Sequence, residues 1–189
     1  MDKLNIVIVG VGGQGTLLAS RVLGHIAQTQ GFDVKVSEVH GMSQRGGSVI
    51  TYVRLAEKVY SPLVEQGGAD YVLAFEELEA LRALPYLAKD GTMIVNTQNI
   101  LPLPVIIGAA QYPKHVIDTL KSKADVIAID ALPLAKAAGN DRAMNTVMLG
   151  ALAKKLHFNK SVWTEALKAC VPARFMEANM AAFEAGYTL

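Results

Sequence analysis

The chain has 189 residues, 51% of them hydrophobic, enough for one sizeable core and short for two, so a single domain over residues 1–189 is expected. Lys plus Arg number 18 against 17 Asp plus Glu, which leaves no strong field to attract nucleic acid or an anionic membrane. The one cysteine, Cys170, excludes an internal disulfide and a cysteine-ligated iron–sulfur cluster, and no apolar run reaches the roughly 18 residues of a transmembrane helix, so a soluble, cytoplasmic protein is expected.

The first motif is KLNIVIVGVGGQG at residues 3–15, an apolar strand-forming run that ends in a glycine cluster and leads into a helical pattern. Gly10, Gly12 and Gly15 fall at the G-x-G-x-x-G spacing of a nucleotide-binding βαβ unit, and Gly13 adds a fourth glycine. Two ridges follow from Thr16: Leu18, Val22 and Ile26, beside Ala19, Leu23 and Ala27. The helix start would therefore aim its free N–H groups and positive dipole end at the loop, where an anion can sit. The same glycines would also serve a compact strand-to-helix turn with no ligand.

Gly31 is a plausible helix stop, and residues 32–39 read as a second strand with Val34, Val36 and Val39, completing a first βαβ-like half. Glu38 stands near the end of that strand, where a dinucleotide site wants an acid for the ribose; it and Lys35 also suit a solvated edge. HGMSQRGGS at 40–48 then breaks every periodicity. Gly46 and Gly47 can aim consecutive N–H groups outward, and Arg45 offers a planar fork of donors, so the loop has the chemistry of an anion cradle. A solvent-facing connector is the plainer reading, but nine residues are more than a strand connection needs. His40 fits hydrogen-bonded scaffold better than a base or a metal ligand.

Residues 48–57 alternate as a strand with one partly polar face, the mark of an edge strand. Residues 70–75 form a short buried strand, 76–87 a helix ended near Pro85, and 91–97 another strand. LPLPVIIGAAQYP, within 99–113, is too rich in proline for a continuous helix and leaves Leu and Ile needing cover, as a core-lining loop or a partner contact. A short helix at 116–122, a last strand at 125–130 and a helical turn at 134–138 follow. From Ala143 the chain is helical. Met144, Met148, Leu152 and Leu156 form a ridge on a helix apolar almost all round, Ser161 is a good N-cap, Cys170 reads as a small core residue, and Met176, Met180 and Phe183 line the last helix. Asn140, Asp141, Arg142 and Asn145 open the buried helix, where such groups either cap or reach the ligand side of the sheet.

Strands alternating with helices argue for an α/β, Rossmann-like, mostly parallel doubly wound sheet with an edge strand and C-terminal helices. The loops after the first and second strands would meet on one rim. No Ser-His-Asp array, paired carboxylates or metal-ligand cluster is evident, so the rim reads as a binding or assembly surface.

GVGGQG at 10–15 and SEVHGMSQRGGSV at 37–49 together resemble the gamma-type domain of 2-oxoacid:ferredoxin oxidoreductases, nearest to the indolepyruvate type. VYSPL at 59–63, FEELEALR at 75–82, GTMIVNT at 91–97 and GNDRAMNTVMLGAL at 139–152 extend the likeness over nearly the whole chain. The resemblance implies a subunit without catalytic residues of its own, inactive alone. It would assemble with a large subunit carrying thiamine diphosphate and 4Fe-4S clusters, oxidise an aryl pyruvate to its acyl-CoA and reduce ferredoxin through the complex. Separately, the uncovered apolar stretch within 99–113 leads to the expectation of either a homodimer in isolation or a tendency to aggregate. Coenzyme A is the possible ligand, and the residues placed toward it are Gly10, Gly12, Gly13, Gln14, Gly15, Ser43, Gln44, Arg45, Gly46, Gly47, Ser48 and Asn145. Two other classes stay open: a stand-alone NAD-dependent enzyme and a nucleotide-sensing regulatory module.

Overall fold

The structure is a computed structural model describing residues 3–41 and 47–189. Among the described residues, six strands form one sheet in the order β2-β3-β1-β4-β5-β6. β1 (Lys3–Val11) is buried along nearly its whole length and pairs in parallel with β4 (Ala69–Ala74), which pairs in parallel with β5 (Leu87–Asn96), and β5 with β6 (Asp125–Ile129). Continuous apolar runs suit such doubly covered strands. α1 (Thr16–Thr29) buries the predicted ridges, including Ala19, Val22, Leu23, Ile26 and Ala27.

The hairpin side of the sheet departs from expectation. β2 (Asp33–His40) does not lie beside β1; β3 (Ser48–Ala56) is inserted between them and is antiparallel to both. The partly polar strand expected at an edge is thus interior, and β2 is the edge. The polarity has an internal partner: Arg54 Nε donates to Asn5 Oδ1 across the β1–β3 pair, and its Nη1 donates to the carbonyls of Ser61 and Leu63.

α2 (Glu77–Ala83) ends before a 3₁₀ turn at Leu84–Tyr86 that contains Pro85, and β5 then begins earlier than the sequence pattern indicated. A Cβ on Gly91 would stand 2.8 Å from the Ala69 carbonyl oxygen, at the irregularity in the β4–β5 register, so the backbones approach where only glycine fits. The proline-rich stretch contains one short helix, α3 (Leu103–Ile106), and leaves Leu103, Ile106 and Ile107 about two-thirds exposed. α4 (Val116–Lys121) and α2 cover one face of the sheet over Val7, Val9, Val72, Met93 and Val95.

The other face carries α1, α5 (Ala131–Ala137), α6 (Met144–Lys155), α7 (Lys160–Cys170) and α8 (Met176–Tyr187). α6 is buried on both sides, as its apolar pattern requires. It crosses α8 at two glycines, where a Cβ on Gly186 would lie 1.9 Å from the Val147 carbonyl oxygen and one on Gly150 would lie 2.2 Å from that of Phe183. Ser161 does not cap α7: the helix starts two residues earlier, at Lys160 with Asn159 at the cap position, and the Ser161 carbonyl accepts from the Thr164 hydroxyl.

Candidate functional site: a rim of two loops and a helix start

Gly10 of β1 and His40 of β2 both stand in register with Val49 of β3, so the loops leaving β1 and β2 arrive at one rim. They are joined there, the Gly12 N–H donating to the Gly47 carbonyl at 2.9 Å. Gly13 has φ +101° and Gly15 φ +88°, left-handed values that bend the chain sharply into α1. Among the described residues, no acceptor takes the N–H groups of Gly13, Gly15, Thr16 or Leu17. Gly12 is therefore committed to the second loop, and the helix start holds the open donors.

Asn145 lies 130 residues from Gly15 in sequence yet donates from Nδ2 to its carbonyl at 3.4 Å. It sits one residue into α6, buried, and a Cβ on Gly15 would overlap its amide at 2.1 Å. Asn140 caps the 3₁₀ turn Asp141–Ala143 that precedes α6, accepting from the Arg142 N–H at 3.1 Å, and α6 itself has no side-chain cap. Asn145 is thus brought to the glycine loop as a brace behind it.

Gln14 and Ser48, placed toward a ligand by the sequence, spend their side chains on the scaffold. Gln14 Oε1 accepts from the Val11 N–H at 2.7 Å, and its Nε2 donates to the Phe75 carbonyl at 2.9 Å and to Gln98 Oε1 at 3.0 Å. This clasp locks the glycine loop to the ends of β1 and β4, and Gly10 has no side chain because a Cβ would press on Gln14 Oε1 and Phe75. The Ser48 hydroxyl donates to Glu79, whose other oxygen takes Arg82 at 2.6 Å. Ser43, Gln44, Arg45 and Gly46 lie outside the described residues.

A cavity of about 370 Å³ opens between the helix start and β2, lined by Gly12, Gly13, Gly15, Thr16, Leu17, Glu38, His40 and Val49. Glu38 lines it and accepts from the hydroxyls of Thr16 at 3.4 Å and Thr51 at 3.2 Å; with β3 between β2 and β1, it does not stand on a strand beside β1 as the ribose-binding acid of a dinucleotide site does. On the other flank of the loop, Gly13, Gln98, Ile100, Leu132, Asp141 and Arg142 border a cavity of about 490 Å³. Gln98 was missed in the sequence, although a polar residue just past the carboxyl end of a strand is the signal that would have found it.

Beside this second cavity, the buried Glu76 caps α2 through the Glu79 N–H at 2.9 Å and accepts from the Ile100 N–H at 3.1 Å and the Tyr112 hydroxyl. It thereby ties down both ends of the exposed apolar segment around α3. Burial and the Glu76 carboxylate push the Tyr112 hydroxyl far above the ordinary tyrosine range, and burial beside Glu76 also raises Glu77. Among the described residues, no three His, Cys, Asp or Glu side chains gather as a metal-ligand set, and no helix is long and apolar enough to cross a membrane. The rim offers backbone donors and one hydrogen-bonded carboxylate, which suit holding and orienting a ligand.

Residues 5–189 match the family model of pyruvate ferredoxin/flavodoxin oxidoreductase. The chain belongs to this family. The indolepyruvate oxidoreductase subunit IorB of Thermococcus kodakarensis is 44% identical over 98% of this chain and 95% of its own. Among solved structures, the pyruvate oxidoreductase subunit PORC of Thermotoga maritima superposes with a TM-score of 0.76 at 20% identity, covering 100% of this chain and 97% of that one. The 2-oxoglutarate:ferredoxin oxidoreductase of Magnetococcus marinus, solved with 2-oxoglutarate, coenzyme A and succinyl-CoA bound, matches with a TM-score of 0.75 at 18% identity, all of this chain against 31% of that one. At these identities the two structures establish a shared fold.

Proposed function

We propose that this chain is the cluster-free, gamma-type subunit of a 2-oxoacid:ferredoxin oxidoreductase acting on indolepyruvate or another aryl pyruvate in the cytoplasm. The whole of residues 1–189 forms one Rossmann-like domain, and it works only with a larger subunit that carries thiamine diphosphate and the iron–sulfur clusters and passes electrons to ferredoxin. The observation that carries this reading is the near end-to-end match to the IorB relative. A single cysteine agrees with it, since the clusters need several thiolates from the chain that holds them.

The rim's part in the reaction is positional. Open N–H groups at Gly13, Gly15, Thr16 and Leu17, at the positive end of α1, fit a phosphate of coenzyme A. Arg45, on the neighbouring loop, would add a forked cation. Coenzyme A, when bound, supplies the thiol that accepts the acyl group. The chain's own residues hold the anionic end of that molecule and stiffen the loop through Gln14 and Asn145.

The deciding experiment mixes the purified chain with its candidate large subunit and measures 2-oxoacid-dependent reduction of ferredoxin or a viologen dye. Activity is expected only from the mixture, with indolepyruvate preferred over pyruvate. Turnover by the chain alone overturns the reading. Glu38 favours a second reading, a nucleotide-binding module, which predicts tight NAD or adenine-nucleotide binding to the isolated chain.

A further inference from the structure

The sheet has one long, bare edge. β2 runs eight residues, Asp33–His40, with an unbroken register against β3 from Asp33↔Ala56 to His40↔Val49, and no described residue pairs with its outer side. Every second residue of such an edge turns its N–H and C=O outward, and proteins usually blunt the hazard with prolines, lysines, bulges or brevity. Between its ends β2 has no proline or bulge and a single lysine, Lys35, while Val36 is 44% and Val39 50% exposed. The opposite edge, β6, is only five residues long.

Beside this edge lies an open groove of about 660 Å³, walled by Leu17, Arg21, Gly24 and His25 on one stripe of α1 and floored by Val34 and Val36. Gly24 widens it, since a Cβ there would meet nothing within 4 Å. The ionisable groups at its α1 wall are Arg21 and His25, and no carboxylate lines it. An unpaired strand edge with an apolar floor and Arg21 on its wall fits an extended segment that adds as a further strand, with apolar side chains and a carboxylate turned inward.

We infer that the β2 edge receives an extended, acidic–apolar segment of the large subunit by strand addition; this rests on the proposed function for the existence of that subunit. The segment's backbone would complete the β2 hydrogen bonds, its apolar side chains would cover Val36 and Leu17, and a carboxylate would meet Arg21.

The test is amide hydrogen exchange of the free chain and of the co-purified complex, read on peptides covering Asp33–His40. Exchange at alternate β2 amides should slow by about tenfold or more on assembly. In parallel, Val36→Lys and Arg21→Glu, both on exposed positions, should each weaken the complex by about tenfold while the free chain keeps its melting temperature. An active complex in which β2 exchanges as fast as in the free chain overturns the inference and leaves the proposed function standing. Protection already present in the free chain and lost on dilution also overturns it, by showing a second copy on this edge. Failure of any complex to form overturns both.

Discussion

Gln14 separates a scaffold residue from a ligand residue, and Gln14→Ala tests which it is. The substitution removes an acceptor from the Val11 N–H at 2.7 Å and donors from the Phe75 carbonyl and Gln98 Oε1. The Phe75 carbonyl keeps the Asn96 Nδ2 donor at 3.1 Å, and Gln98, at the cavity wall, can turn to solvent. The loss therefore concentrates on one part-buried N–H left unpaired, and with both partners of the two remaining bonds otherwise satisfied it comes to about 2–3 kcal/mol. For a chain of this size, where 1 kcal/mol moves the melting temperature by roughly 2–4 °C, a fall of roughly 4–12 °C follows. Differential scanning calorimetry of the isolated chain measures it. In the reconstituted enzyme the KM for coenzyme A should rise only through loosening of the loop, and Gln14→Glu, which keeps the acceptor for Val11 but puts oxygen against the Phe75 carbonyl, should destabilise as well. A Gln14→Ala chain that melts within a degree of the native one while losing coenzyme A affinity would refute the argument and make Gln14 a ligand contact.

Gly186→Ala should be among the most damaging single-methyl insertions, because the clash is with the Val147 backbone oxygen at 1.9 Å; a loss of about 3 kcal/mol in urea unfolding is expected. Tyr52 is pushed up to about 12 by burial and by the Tyr86 hydroxyl at 3.1 Å. Since its folded value lies above the unfolded value of about 10, stability is intact below that pH and falls as pH rises from there toward the folded value, and Tyr52→Phe should flatten that decline in alkaline unfolding curves. Arg45→Ala should raise the KM for coenzyme A by about 1.5–3 kcal/mol of lost binding and spare that for the 2-oxoacid; equal changes in both would indicate a defect of assembly. The exposed segment around α3 should gain exchange protection on assembly far more than α4 does, and equal exchange in the free and assembled states would exclude it from the interface.

The alternation of elements, the glycine turn and the shared rim were legible in residues 3–49 because each depends on local properties: a 3.6-residue period, a two-residue period, and left-handed φ values that only glycine takes easily. The placement of β3 was not. Its polar positions read as an edge because Arg54 has no visible partner within its own strand, whereas Asn5, 49 residues away, receives it across the sheet. Asn145 read better as a cap than as a ligand-side group, and its contact with the Gly15 carbonyl, 130 residues away, sets it behind the glycine loop.

By itself, then, the sequence determined the alternation of strands and helices, that a helix start faces a glycine loop at the rim, and that one cysteine is too few to ligate an iron–sulfur cluster. Those follow from backbone sterics, side-chain periodicity and a count of thiols. Only the tertiary structure decided which strand became the bare edge, that Gln14 bonds to Val11, Phe75 and Gln98, and that Ser48 bonds to Glu79. These outcomes depend on which distant backbone groups are left without partners, a property of strand pairing and packing that no local run of residues contains.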